Sequence, residues 1–162
     1  MPIHLALAVL LMASSHGHPV ASRIAESHAG AWTLRVHSDP FRQRITCRLT
    51  ADRVRYGRQS LVFAFSHRLD TSDAAYRVDD GQPMAANNDE MALARLGVAV
   101  HHDDLHNPSG GLVRIPETKV RGARTVTIQI KADGPSERFK VDGLNEALTA
   151  AANAGCGSDS FE

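Results

Sequence analysis

The chain is 162 residues long, 43% hydrophobic and formally neutral, with 18 basic against 18 acidic side chains. That length supports one ordinary domain with its own core, and the even charge speaks against a dedicated nucleic-acid binder. No internal repeat recurs at a period of about 20 to 50 residues, and one Trp with two Tyr leaves little for a sugar- or base-stacking platform.

The first element is an uncharged apolar run, LALAVLLMA, at residues 5–13. A membrane-spanning helix needs about 20 apolar residues, so this run is short for a span and has the length of a signal-peptide core. VAS (Val20, Ala21, Ser22) or ASS (Ala13, Ser14, Ser15) would precede the cleavage point, although MPIH ahead of the core has no Lys or Arg. A buried N-terminal strand or helix is the plainer alternative. The expected organisation is a signal peptide at 1–22, a single domain at 23–156 and a flexible tail at 157–162. The product would be periplasmic or secreted, with no membrane span.

Strand patterns follow. WTLRVH turns Trp32, Leu34 and Val36 to one face, and RITCRLT turns Ile45, Cys47 and Leu49 inward with Arg44, Thr46, Arg48 and Thr50 outward. This is the period-2 alternation of half-buried strands. SLVFAF is apolar on both faces and suits a central strand. AYRVDDGQP reads as a strand entering a turn at Asp80-Gly81. NDEMALARLG is ambiguous: Gly97 could cap a short helix, yet Leu96, Val98 and Val100 alternate. LVRIP, TVTIQIK (burying Val126, Ile128 and Ile130) and RFKVDG complete the strands, with ADGPSE as the turn before the last. Short strands with turn chemistry between them predict an antiparallel β-sandwich or barrel.

The C-terminal segment predicts one helix. Asp142 can cap its start, Leu144, Leu148, Ala151 and Ala152 form an apolar stripe, and Gly155 stops it. Cys156 follows at once. The chain has two cysteines, Cys47 and Cys156, and an isolated pair in an oxidising compartment forms one disulfide. Closing a loop of roughly 100 residues gives about 4 to 5 kcal/mol by chain entropy, an upper figure. Redox chemistry lacks support, since the two are far apart in sequence and neither has a neighbouring His. The expected fold is therefore mainly β, an antiparallel β-sandwich with one C-terminal α-helix packed on it and one disulfide.

The balanced charge hides a segregation. Six arginines (42, 44, 48, 53, 55, 58) and one acid, Asp52, lie between Arg42 and Arg58, whereas eight acids and two arginines lie between Asp70 and Asp104. The plain reading is solvated strand faces, each charge worth little. The functional reading is a contact surface on Arg44, Arg48, Arg53 and Arg55, because guanidinium forks suit carboxylate or phosphate partners.

A Trp-led first strand, a strand cysteine, AYRVDDG, GLVRIP and the closing FKVDGLNEALTAAANAGC together resemble a group of small exported bacterial proteins, the invasion-associated locus B-like proteins and the type VI secretion accessory protein VasI. The pattern F-x-x-x-G-L-x-x-A-L closed by a cysteine is matched by Phe139, Gly143, Leu144, Ala147, Leu148 and Cys156. The resemblance implies a β-sandwich with a covering helix, periplasmic residence and a non-enzymatic accessory role. The locus B-like proteins carry more cysteines, and nothing in this sequence specifies type VI secretion.

One stretch, HHDDLHNPSGG at residues 101–111, invites a metal reading. His101 and His102 would point to opposite faces of a strand, so His102 and His106 with Asp104 (or Asp103) make the best ligand set, and two His with one carboxylate could hold zinc with a position open. The segment carries turn signals rather than a scaffold, and no HExxH or Cys/His spacing supports it; a solvated polar loop is the plainer reading. SHRLD offers Ser66, His67 and Asp70, and PSGG offers Ser109, but G-x-S-x-G is absent. No phosphate-binding or dinucleotide glycine motif occurs. The sequence thus predicts no catalytic residue, no cofactor and a binding function directed at another envelope protein. A zinc protein or metal-dependent hydrolase built on His102, Asp104 and His106, and an inhibitor of an envelope-active hydrolase, are the alternatives.

Overall fold

The structure, a computed structural model, describes residues 23–65, 70–100 and 112–161. Among the described residues ten strands form two antiparallel sheets. The larger contains β1 (Arg23–Ala29), β2 (Trp32–Asp39), β3 (Arg44–Ala51), β4 (Val54–Gly57), β5 (Ser60–Ala64) and β8 (Leu112–Pro116), in the order β1-β2-β3-β4-β5-β8. The smaller contains β6 (Ala75–Val78), β7 (Met84–Ala85), β9 (Thr125–Gln129) and β10 (Ser136–Lys140), in the order β10-β9-β6-β7. Among the described residues three α-helices accompany the sheets: α1 (Glu90–Arg95), α2 (Glu117–Val120) and α3 (Leu144–Asn153). The mainly β, helix-covered, disulfide-bonded architecture expected from the alternation is the one observed.

The alternating residues of β2 and β3 meet in register, with Leu34 opposite Leu49 and Val36 opposite Cys47. Trp32, Leu34, Cys47 and Leu49 are buried, while Val36 and Ile45 are partly buried at the margin. The sheets share one core: the Phe63 ring of β5 lies edge-on to the Phe139 ring of β10 with centroids 5.2 Å apart. The four-stranded sheet covers less width than the six-stranded one, and α3 packs on β1 and β2. The buried Trp32 indole donates to the Val141 carbonyl at 3.0 Å, fixing the strand that leads into that helix.

The disulfide Cys47–Cys156 joins the middle of β3 to the end of α3 across 109 positions, with Cα atoms 6.1 Å apart. Gly155 adopts φ 84°. Its N–H donates to the Ala152 carbonyl, and that of Cys156 to the Ala151 carbonyl. These are the paired bonds of a Schellman stop, which delivers Cys156 directly beneath β3.

Some local expectations change. Asp142 makes no side-chain cap; the residue at the N-cap is Gly143, at φ 82°. The Asp142 carbonyl instead accepts from Ala31 N–H. Ala152 is exposed, and the buried stripe of α3 is Leu144, Ala147 and Ala151. The ambiguous segment is a 3-10 turn (Ala86–Asp89) leading into α1, with Gly97 at φ 69° after it. The turn after β6 runs from Val78 to Gly81, with Asp79 at φ 49°, and the Asp79 carboxylate accepts from the Arg124 and Thr125 backbone N–H groups. These bonds hold its carboxyl below the usual carboxylate range. The segment expected as a flexible tail carries a second 3-10 turn (Ser158–Ser160), and Phe161 bridges to Cys47 in parallel. The Phe161 ring also meets Tyr56 edge-on at 4.9 Å. The expected signal peptide at 1–22 lies outside the described residues.

Candidate functional site: an arginine face and its cleft

The outward positions of β3 carry Arg44 and Arg48, both exposed. Arg44 stands opposite Asp39, whereas Arg48 stands opposite Arg35 of β2. Arg35 is tied back to Glu26 of β1 by an Nε–Oε2 hydrogen bond of 2.7 Å, which holds the Glu26 carboxyl below its usual range. Arg48 has no acidic partner among the described residues. A second outward row crosses the sheet: Thr50 faces Arg55 of β4, Arg55 faces Val62 of β5, and Val62 faces Arg114 of β8. Adjacent strands lie about 4.8 Å apart, so the long side chains of Arg55 and Arg114 reach across Val62 into shared space.

Arg53 belongs elsewhere. It sits in the β3–β4 turn, pairs with Glu137 of β10 at 2.7 Å and lays its guanidinium over the Phe139 ring at 5.2 Å. It ties the two sheets together and is not part of the outer face, so the predicted four-arginine surface contracts to Arg44, Arg48 and Arg55. The contact surface expected from the sequence left out Arg35 and Arg114, and also Arg58, which belongs to the six-arginine run. Arg35 and Arg114 occupy outward positions of WTLRVH and LVRIP, a signal that alternation alone could have supplied.

Arg55, Arg58 and Arg114 line one cleft of about 460 Å³, walled by Val62, Val98 and Phe161. Arg58 and Gln59 are the two central residues of the β4–β5 hairpin and both have positive φ, 48° and 53°. Type I′ hairpins require that backbone and favour Asn-Gly in it. Arg58 Nη1 donates to the Gly97 carbonyl at 2.8 Å, anchoring the segment that carries Val98 over the cleft. Burial, and secondarily the charges of Arg55 and Arg58, lower the pKa of Arg114. A second cavity of about 590 Å³ shares Arg58 and Phe161 and adds Arg95 and Asp159.

Two buried carboxylates were not singled out in the sequence. Glu117, at the start of α2, accepts from the Tyr56 hydroxyl at 2.6 Å and from Arg121 Nε at 2.6 Å. Asp89 accepts from the Tyr76 hydroxyl at 2.5 Å and lies 3.9 Å from Lys119 Nζ. Burial is the first cause, and the neighbouring carboxylate the second, of a strong upward shift in both phenols. A carboxylate closed in by a phenol and a cation has its oxygens occupied, so these groups brace α2 and the 3-10 turn against the two sheets.

The candidate metal ligands His102, Asp104 and His106, with Asp103, lie outside the described residues, as do Ser66, His67 and Ser109. Among the described residues no group of three His, Cys, Asp or Glu side chains could hold a metal ion. Asp70 accepts from Ser72 N–H and Oγ at 2.9 and 2.7 Å, the bonding of a turn. Fold and surface together define a disulfide-bonded two-sheet domain with an arginine-lined outer face. Comparison with protein-family models, with curated proteins and with solved structures finds no match for the chain.

Proposed function

We propose that this protein is an exported, non-enzymatic envelope module that contacts another protein through the outer face of its six-stranded sheet. The observation that carries the reading is Arg48, exposed in mid-sheet, opposite a second arginine and without an acidic partner among the described residues. Like charges directly opposite one another weaken a strand pair, and an acidic partner surface offsets that repulsion while giving the fork-shaped guanidinium its preferred acceptor. The disulfide fits an oxidising compartment, and among the described residues no helix is long and apolar enough to cross a membrane. The resemblance to the locus B-like and VasI-like proteins points the same way.

The test is reversal of the face. Immobilised oxidised protein is exposed to an envelope extract, and retained proteins are compared with those held by the variant Arg44→Glu/Arg48→Glu. The expected result is a partner captured by the parent and lost by the variant at an unchanged melting temperature. Identical capture by both would remove this face from the reading.

A further inference from the structure

We propose that the cleft between Arg55, Arg58 and Arg114 is a binding site for a phosphate-type polyanion. The inference goes beyond the protein contact and does not depend on it, since Arg55 alone borders both surfaces.

Three features of the cleft converge on an anion. First, it gathers three guanidinium groups, and no Asp or Glu is among its described lining residues. Arg114 is half-buried beside the buried Val62, and no hydrogen bond or ion pair satisfies it among the described residues. A desolvated cation held near two others is unfavourable for the fold alone, and a bound anion removes that penalty. Second, Arg58 is kept in a left-handed backbone that asparagine or glycine would occupy with less strain. Strain retained at a position with an easy alternative points to a function for its side chain, and the bond to the Gly97 carbonyl holds that side chain at the cleft. Third, Val62, Val98 and Phe161 supply apolar walls, where charge–charge attraction is stronger than in open water.

Phosphate chemistry fits better than a single carboxylate. A carboxylate brings one charge and two oxygens, whereas a phosphate monoester brings about −1.5 to −2 charges and three acceptor oxygens. Each guanidinium offers five N–H donors in a planar fork, so three of them suit the larger acceptor. The adjoining cavity, which Arg58 and Phe161 share, leaves room for a second phosphate or the body of the ester, with Arg95 on its wall. Asp159, also on that wall, faces this second cavity and limits how much negative charge it accepts.

The test is calorimetric titration of the full oxidised chain with inorganic pyrophosphate at low ionic strength, using sodium chloride at matched ionic strength as the control. One-to-one binding is expected, weakened at least about ten-fold in Arg114→Met and in Arg55→Gln, which each remove a charge-assisted fork. Arg114→Met is expected to melt at or above the parent temperature, because an apolar side chain replaces a desolvated charge. Arg55→Gln, on the exposed side of the sheet, keeps the test open should Arg114→Met fold poorly. Co-sedimentation with vesicles containing phosphatidic acid separates the sources: binding to both probes, lost in the variants, makes the ligand a lipid headgroup, and binding to pyrophosphate alone makes it a soluble phosphate. No heat above the chloride control, or equal affinity in parent and variants, overturns the site.

Discussion

Gly30, in the turn between β1 and β2, sets its Cα in the side-chain space of Gly143, at the start of α3. A Cβ on Gly143 would stand 2.5 Å from the Ala29 carbonyl oxygen and 2.8 Å from the Gly30 Cα, and one on Gly30 would strike the Asp142 carbonyl. Both glycines have positive φ, 55° and 82°. The backbone contact they permit lets Ala31 N–H reach the Asp142 carbonyl at 3.0 Å, and it sets where α3 begins.

Gly143→Ala is therefore expected to cost at least about 2 kcal/mol, combining a left-handed backbone penalty of about 1 to 2 kcal/mol with displacement of the β1–β2 turn. Gly57→Ala is the control: its φ is not positive and a Cβ there meets nothing within 4 Å, so it should be neutral or slightly stabilising. Urea unfolding of the three proteins checks both. Equal losses at the two positions would mean that the Gly30–Gly143 approach is not a structural constraint.

Removal of the disulfide should cost roughly 2 to 5 kcal/mol, the range for native bridges in secreted domains. The two serine variants should differ. Cys47 is 0% exposed and Cys156 is 9% exposed, so Cys47→Ser also buries a hydroxyl and should lose about a further 1 to 3 kcal/mol unless that hydroxyl finds a partner. Thermal melts of parent, reduced parent and both variants give the comparison. A reduced parent as stable as the oxidised one would rule out the bridge as a stabilising element.

The tyrosines predict an alkaline limit. The chain has two, Tyr56 and Tyr76, and both are raised well above their ordinary value by burial and by their carboxylate acceptors. In the unfolded chain they titrate near pH 10. The folded state then holds protons that the unfolded state has released, so the stabilisation is complete below about pH 10 and is lost as pH rises above it. Phenolate absorbance of the native protein should stay flat through about pH 10 and then rise together with unfolding. A reversible titration of two phenols near pH 10, with the fold intact, would contradict the buried pairing.

The β4–β5 turn makes the reverse prediction, a gain. Replacing Arg58-Gln59 by Asn-Gly supplies the residues that a type I′ turn prefers and should stabilise by about 1 kcal/mol in all, after loss of the Arg58 bond to Gly97. The same double variant should bind pyrophosphate more weakly than the parent. Differential scanning calorimetry reads the first effect and titration the second.

These features differ in how readily the sequence announces them. β2, β3 and β9 were legible because one face is wet and one dry, so apolar and polar residues alternate. β1 was not, since RIAESHA lies at a sheet edge with nearly every residue exposed, and an edge strand of that kind carries no alternation. β7 and α2 are too short for a period to register. Asp142 has the chemistry of a helix cap, but the close approach of Ala29 and Gly30 decides the local geometry, and that approach is tertiary. Arg44 and Arg48 were legible as outward positions. Arg53 was not separable from them, because it lies in a turn, where alternation no longer assigns a face. The cleft depends on β5 lying between β4 and β8, a pairing that composition does not reveal. The tail misled for a similar reason: its residues are polar, yet β4 stops short and leaves the edge of β3 open for Phe161.

The bridge also sets a timetable. Cys47 precedes Cys156 by 109 positions, so β3 is synthesised well before the helix that carries the second sulfur. In an oxidising compartment, Cys47 without Cys156 is an unmatched thiol, open to mixed disulfides with any oxidised cysteine it meets. A bridge between residues this far apart in sequence is therefore expected to form correctly in higher yield when a thiol–disulfide exchange catalyst is present.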